Sequence, residues 1–143
     1  MKTARVKWVD GMQFVAEADS GHAIILDSAQ AEGGNDTGTR PMELILEGLA
    51  GCTAMDVVFI LRRKRQQVTG LSVEVEAERA ETHPKVYTRI KLKYLIKGVN
   101  LSEKAVKDAV ELSQAKYCSV SAMLSKTASL EYQIQVAQES AAP

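Results

Sequence analysis

Two cysteines, Cys52 and Cys118, are the residues of this sequence with the most distinctive chemistry. A thiolate is a nucleophile and a metal ligand, and two thiols that meet in a fold can form a disulfide. Lone cysteines are also often small buried hydrophobic residues that do no chemistry. The residue types therefore leave two interpretations open, a redox pair and two structural cysteines.

Other motifs for metals and cofactors are weak in this chain. His22 and His83 lie in unrelated segments and no CxxC motif occurs, so we expect no metal site. The polar segment 28–39 contains Gly33-Gly34 but matches no phosphate-binding pattern, and it is interpreted as a mobile connector. We expect the protein to need no cofactor.

Length and charge limit the class of protein. The chain has 143 residues, which suits one domain over 1–143, and 18 basic residues balance 18 acidic ones. This balance gives no indication of a nucleic-acid or membrane partner. The first residues contain no apolar run of signal-peptide length, so we expect a cytoplasmic protein.

Cys52 lies near the middle of segment 40–67, which is predicted to be one long central helix. Pro41 suits the first helical turn, because its missing N–H would be unbonded there in any case. Apolar residues surround most of the helix, which indicates burial on several sides. Glu43, Glu47 and Asp56 interrupt the apolar surface and argue against a membrane span. Asp56 shares the face of Cys52, and we expect it to make a structural hydrogen bond or ion pair.

The remaining segments alternate between strands and helices. Residues 2–28 are predicted to form a three-stranded meander, and 71–97 a hairpin whose acidic strand face pairs with a basic one. Residues 102–136 are predicted to form a helix to about Lys116 with Ser102 as its N-cap, a short helical turn over 120–126 and a last strand over 128–136. Residues 137–143 are predicted to be a frayed tail. The pattern indicates an α+β fold with a mainly antiparallel sheet.

Cys118 is predicted to lie at the N-terminal end of that short helical turn. Free backbone N–H groups and the helix dipole favour a thiolate at such a position.

The segments around both cysteines resemble the OsmC/Ohr family of osmotically induced and organic hydroperoxide resistance proteins. The similarity rests on Arg40-Pro41-Met42-Glu43-Leu44, on Gly51-Cys52 and on the segment from Tyr117 to Ser121. It covers nearly the whole chain and is strongest for the YhfA-type branch. It implies an intertwined homodimer in which two sheets wrap two long central helices, with the active sites at the subunit interface.

The resemblance also implies a thiol-dependent peroxidase that reduces organic hydroperoxides in oxidative-stress defence. Cys52 would be the peroxidatic cysteine and Cys118 the resolving one, with an external dithiol as reductant. Better-known members use an N-terminal arginine and a glutamate directly after the proline that opens the helix. Here Met42 follows Pro41, so Arg40 and Glu43 are the candidates for these catalytic roles.

Helix geometry restricts how Glu43 can act on Cys52. The two positions lie about 13–14 Å apart along one helix and on opposite sides of it. A second chain would therefore supply Glu43 or Arg40 to Cys52. Otherwise Arg40 anchors the preceding loop and Glu43 complements the positive N-terminus of the helix.

Two other functions fit the same residues. The protein could be a binding module whose apolar interface cavity holds a small hydrophobic molecule. It could also be a redox sensor that reports through a disulfide between Cys52 and Cys118.

Overall fold

The structure is a computed structural model that describes residues 1–141 and groups them into two compact units. The first unit is Met1–Leu46, and the second begins at Glu47. Helix α1, Pro41–Arg63, starts in the first unit and continues in the second. The single domain over 1–143 stays a prediction.

The first unit contains an antiparallel sheet of three strands in the order β1-β2-β3. The strands are β1 Ala4–Asp10, β2 Gln13–Ala18 and β3 Ala23–Leu26. Gly11 turns the chain between the first two strands with a φ of 51°, a conformation that favours glycine. The predicted meander is confirmed.

One carboxylate organises the connector between β3 and α1, which the sequence predicts to be mobile. Asp27 is 3% exposed and accepts hydrogen bonds from the N–H groups of Ser28, Asn35 and Thr37. The Thr37 hydroxyl bonds the same carboxylate at 2.5 Å, and this contact is the main cause that lowers the pKa of Asp27. A short 3₁₀ helix, Gln30–Glu32, lies within this segment.

Helix α1 ends four residues before the predicted boundary at Gln67. The N–H of Gln66 bonds the carbonyl of Leu61 at 2.9 Å, and the N–H of Arg65 bonds that of Arg62. Arg65 has a φ of 56°, so the pattern is a Schellman motif with arginine at the left-handed position. The chain then enters β4 directly.

By length and composition α1 is also apolar enough to cross a membrane, although core helices of globular proteins pass the same test. Only 22% of its most apolar stretch is buried within the described chain. Much of its apolar surface is therefore left uncovered in a single copy.

The second unit contains a three-stranded sheet in the order β4-β5-β6. Strands β4, Gln67–Arg79, and β5, Tyr87–Val99, form the predicted hairpin. The predicted pairing of an acidic face with a basic face is confirmed. Glu74, Glu76 and Glu78 lie opposite Lys93, Lys91 and Arg89, and two ion pairs cross the hairpin, Lys93–Glu76 and Arg89–Glu78.

Strand β6, Ser129–Glu139, runs parallel to β5, in contrast to the other strand pairs. A parallel neighbour requires a long crossover connection, and the helical segment between β5 and β6 supplies it. The strand also continues through Ala137–Glu139, which the sequence predicts to be part of a frayed tail. Residues 142 and 143 of that predicted tail lie outside the described residues.

The crossover consists of three helical pieces. Helix α2, Glu103–Leu112, starts at the predicted N-cap Ser102, whose hydroxyl accepts the N–H of Ala105 at 3.2 Å. A π-helical turn, Ser113–Tyr117, and helix α3, Ser119–Leu124, follow. The predicted short helical turn near Cys118 is confirmed. The core of this unit is formed mainly by apolar side chains of α1, β5 and α2, among them Leu49, Val57, Leu61, Ile90, Leu92, Ile96, Val106 and Val110.

Candidate functional site

Cys52 lies on a partly exposed side of α1, within a stripe of positions that solvent can reach. Gly48, Met55 and Phe59 lie on the same side and are exposed, Met55 by 76% and Phe59 by 61%. The spacing from Gly48 through Cys52 to Phe59 alternates between four and three residues, as in the seam of paired helices. We call these four positions the α1 stripe.

The π-helical turn positions Cys118 at the site. Its N–H bonds the carbonyl of Ser113 at 2.8 Å, the wider i→i+5 bond of a π turn. The side chain is 2% exposed and caps α3, because its sulfur accepts the N–H of Ser121 at 3.4 Å. Burial raises the pKa of the Cys118 thiol, and neighbouring Cys52 adds to the rise, while Ser121 lowers it. Burial therefore outweighs the helix N-terminus, which the sequence predicts to favour a thiolate.

The fold brings the two cysteines together. The sulfurs of Cys52 and Cys118 and a carboxylate oxygen of Asp56 all lie within 4.8 Å of one another. Cys52 is the more exposed of the two thiols, so a molecule from solvent reaches it first. Both cysteines are free thiols, and a disulfide between them would require the sulfurs to approach to about 2.05 Å.

Beneath this cluster lies a chain of buried polar side chains. Thr53 shares a hydrogen bond of 2.6 Å with the Tyr94 hydroxyl and one of 2.7 Å with Ser113. Ser113 donates to Asp56 at 2.9 Å, and the Gln114 amide donates to Tyr94 at 2.7 Å. Burial is the main cause that raises the pKa of Tyr94. The predicted structural hydrogen bond of Asp56 is confirmed.

The direction of these bonds follows from the carboxylate at their end. An ionised carboxylate only accepts, so the single hydroxyl proton of Ser113 goes to Asp56. Ser113 then accepts from Thr53, and Thr53 in turn accepts from Tyr94. This series of hydrogen bonds therefore orients the Asp56 carboxylate, which lies beside the two sulfurs.

The Thr53→Val substitution tests this buried chain. Valine has nearly the shape of threonine, but it leaves Tyr94 and Ser113 without their shared partner. We expect a loss of about 1–3 kcal/mol in the free energy of unfolding, measured by urea denaturation. The matched control is Thr88→Val, at an exposed position of β5, which should change stability by less than about 0.5 kcal/mol. Equal losses in the two variants would contradict the assignment.

Arg40 and Glu43 lie in the first unit, where their contacts are local. The Arg40 guanidinium donates to the carbonyl of Gly38 at 2.9 Å and pairs with Asp36 at 2.5 Å. The Glu43 carboxylate accepts the N–H of Arg40 at 2.9 Å and the Thr39 hydroxyl at 3.1 Å, and these bonds lower the pKa of Glu43. Both residues thus serve the anchoring and capping roles that the sequence left open.

Sequence reasoning missed three members of the polar chain, Tyr94, Ser113 and Gln114. Thr53 could have indicated this buried polar chain from the sequence, because it is a polar residue within an apolar helix. The sequence also predicts no metal site because its two histidines are far apart. In the structure Cys52, Asp56 and Cys118 nevertheless form a cluster that could hold a metal ion.

Comparisons with known proteins agree with this architecture. Residues 33–133 match the model of OsmC-like proteins. Protein YhfA of Escherichia coli K12 is 41% identical over 133 residues, which cover 93% of this chain and 96% of YhfA. A hypothetical protein from Aquifex aeolicus VF5 has 33% identity and a TM-score of 0.86, with 98% of each chain covered. The organic hydroperoxide resistance protein OhrB of Bacillus subtilis has a TM-score of 0.62 at 15% identity, with 94% of this chain and 98% of OhrB covered. At that identity the likeness to OhrB shows the fold alone.

Proposed function

Because the chain belongs to the family of OsmC-like proteins, we propose that it is a thiol-dependent peroxidase that reduces organic hydroperoxides to alcohols. Its role would be oxidative-stress defence in the cytoplasm. The observation that supports this proposal best is the approach of Cys52 and Cys118 to within 4.8 Å. The name of OhrB, an organic hydroperoxide resistance protein with the same fold, adds support.

The first step is the attack of the Cys52 thiolate on one peroxide oxygen. The O–O bond breaks, and the sulfur keeps the OH group of the peroxide, so Cys52 becomes a sulfenic acid. The alkoxide takes up the proton that the Cys52 thiol had lost and leaves as the alcohol. Cys52 suits this role because it is partly exposed, whereas Cys118 is 2% exposed. The two electrons that reduce the peroxide come from the Cys52 sulfur.

The second step closes the disulfide. The Cys118 sulfur attacks the Cys52 sulfenic acid, an S–S bond forms, and water leaves with the Cys118 proton. Burial, which keeps Cys118 protonated, protects it from direct oxidation until Cys52 has reacted. An external dithiol then reduces the disulfide by thiol–disulfide exchange and restores both thiols.

Activation of Cys52 needs a positive group close to its sulfur. We propose that the protein is a homodimer and that Arg40 acts on Cys52 of a second copy, while Glu43 holds the backbone of Arg40 at the start of α1. The uncovered α1 stripe supports the dimer, because its spacing suits the packing of one helix against another. Apolar side chains on this stripe, such as Met55 and Phe59, would favour organic peroxides over hydrogen peroxide.

A peroxide-consumption assay on the reduced wild-type protein tests the proposal. We expect one organic hydroperoxide to be consumed per chain without reductant, with a disulfide between Cys52 and Cys118 detected by mass spectrometry. Continuous turnover should follow when a suitable dithiol is added, so several dithiols are compared. Hydrogen peroxide serves as the matched substrate control and should react more slowly.

Two outcomes of the same assay would point to other functions. Unaltered thiols after exposure to organic hydroperoxide, together with a co-purified hydrophobic molecule, would favour a binding module. A disulfide that forms but is reduced only slowly by every dithiol would favour a redox sensor.

A further inference from the structure

Three side chains of the second unit place potential metal-ligand atoms close together. They are the sulfurs of Cys52 and Cys118 and the carboxylate of Asp56, and these atoms lie within 4.8 Å of one another. Cys52 and Asp56 are four residues apart and so share one face of α1. Cys118 joins them from the N-cap of α3. The ligands therefore come from two helical elements, α1 and α3.

The distances suit a small tetrahedral ion. Zinc binds thiolate sulfur at about 2.3 Å and carboxylate oxygen at about 2.0–2.2 Å, which places ligand atoms about 3.6–3.8 Å apart. The three atoms are already within 4.8 Å of one another, which is close to the spacing that a bound zinc ion requires.

The donor set selects the kind of ion. Two sulfurs disfavour magnesium and calcium, which bind almost entirely through oxygen. Once both thiols have lost their protons to the solvent, two thiolates and a carboxylate carry three negative charges, which a divalent cation compensates. Within residues 1–141 no lysine, arginine or histidine forms an ion pair with Asp56. Sulfur, charge and geometry together favour zinc.

Groups behind the ligands are arranged to orient them. Ser113 donates to Asp56 at 2.9 Å and is itself held by Thr53, so the carboxylate has a defined direction. The N–H of Ser121 donates to the Cys118 sulfur at 3.4 Å. Hydrogen bonds of this kind orient metal ligands and support their affinity in known metal sites.

We propose that the reduced protein binds one Zn²⁺ per chain through Cys52, Cys118 and Asp56, with a fourth position open to water. Binding replaces two S–H bonds with two Zn–S bonds and releases two protons to solvent, and no atom is oxidised or reduced. The site goes beyond the proposed peroxidase function, although both use the same sulfurs. A disulfide leaves no thiolate for the ion, so zinc binding and oxidation exclude each other.

Metal titration of the reduced full-length protein tests this site. Zn²⁺ is titrated by calorimetry in competition with a chelator, and Co²⁺ is followed by its sulfur-to-metal charge-transfer absorption. We expect one ion per chain and a tetrahedral cobalt spectrum. The Asp56→Asn variant should bind at least 10-fold more weakly, since loss of a ligand exceeds the roughly 10–100-fold effect of outer groups. Cys52→Ser and Cys118→Ser should lose the charge-transfer absorption of the missing sulfur.

The matched control is Asp108→Asn, which removes an aspartate of α2 that pairs with Lys104. It should bind zinc like the wild type. A second measurement uses the wild-type protein alone and therefore does not depend on whether a variant folds. Bound Zn²⁺ should slow alkylation of Cys52 at least 10-fold. The oxidised protein should not bind Zn²⁺. The proposal is overturned if zinc leaves Cys52 alkylation unchanged, or if Asp56→Asn binds like Asp108→Asn. Peroxide consumption is measured on metal-free protein. Failure of the peroxidase proposal is therefore distinguished from failure of the zinc-site proposal.

Discussion

Replacement of Cys52 by serine is expected to abolish the consumption of organic hydroperoxide. A serine hydroxyl remains protonated near neutral pH and is a far weaker nucleophile than a thiolate. We expect activity to fall to the rate of the assay without protein. The measurement is hydroperoxide loss with time, in the presence of the dithiol that gives the fastest wild-type turnover.

The Cys118→Ser variant is the informative control for this result. Cys52 can still attack the peroxide, so one hydroperoxide should be consumed per chain. The sulfenic acid on Cys52 then has no neighbouring thiol, and a reagent specific for sulfenic acids should trap it for mass spectrometry. Full hydroperoxide consumption by Cys52→Ser, or a sulfenic acid trapped on Cys118 of the wild type, would reject the proposed roles.

Charged substitutions on the α1 stripe are expected to convert a dimer into monomers. Met55 is 76% exposed and Phe59 is 61% exposed in the single chain, and a second copy would bury both. A pair of Met55→Asp and Phe59→Asp substitutions would place two carboxylates from each chain in an apolar interface, where unpaired charges cost several kcal/mol each. Sedimentation should show a dimer for the wild type and a monomer for the double variant.

The control for the dimer test is Met123→Asp in α3. This methionine is 64% exposed, so the same change is made at a similarly exposed residue of another element. It should remain a dimer. Peroxide consumption should also fall in the double variant, because Arg40 of the second copy would no longer reach Cys52. A wild-type monomer, or a double variant that stays dimeric, would refute the role of the α1 stripe.

Local patterns predicted most of the elements correctly. Alternation of acidic and apolar residues in 71–78 indicates a strand with one solvent-exposed face. The basic residues of the next strand indicate that the two strands pair with each other. The observed register, with Glu76 opposite Lys91 and Glu78 opposite Arg89, follows from that charge pattern. Ser102 likewise marks the start of α2, because its hydroxyl satisfies an N–H that the helix leaves unbonded.

Predictions were less accurate where backbone geometry or distant contacts decide the outcome. Arg65 ends α1 in a left-handed conformation, a position that glycine usually occupies. Because arginine stands there instead, the sequence did not indicate where the helix ends. The parallel direction of β6 depends on where the crossover helices lie, which alternation along the strand does not encode. The π turn at Ser113–Tyr117 has no sequence signature, yet it positions Ser113 and Cys118.

The sequence alone determined the long apolar helix with Cys52 in it, because hydrophobic composition and the positions of proline and charges are local properties. It also determined the family, through the segments around Cys52 and Cys118. Only the tertiary structure decided that the two sulfurs meet and that Asp56 joins them. That meeting depends on a π turn and on buried hydrogen bonds between residues far apart in the chain, and such contacts exist only once the chain has folded.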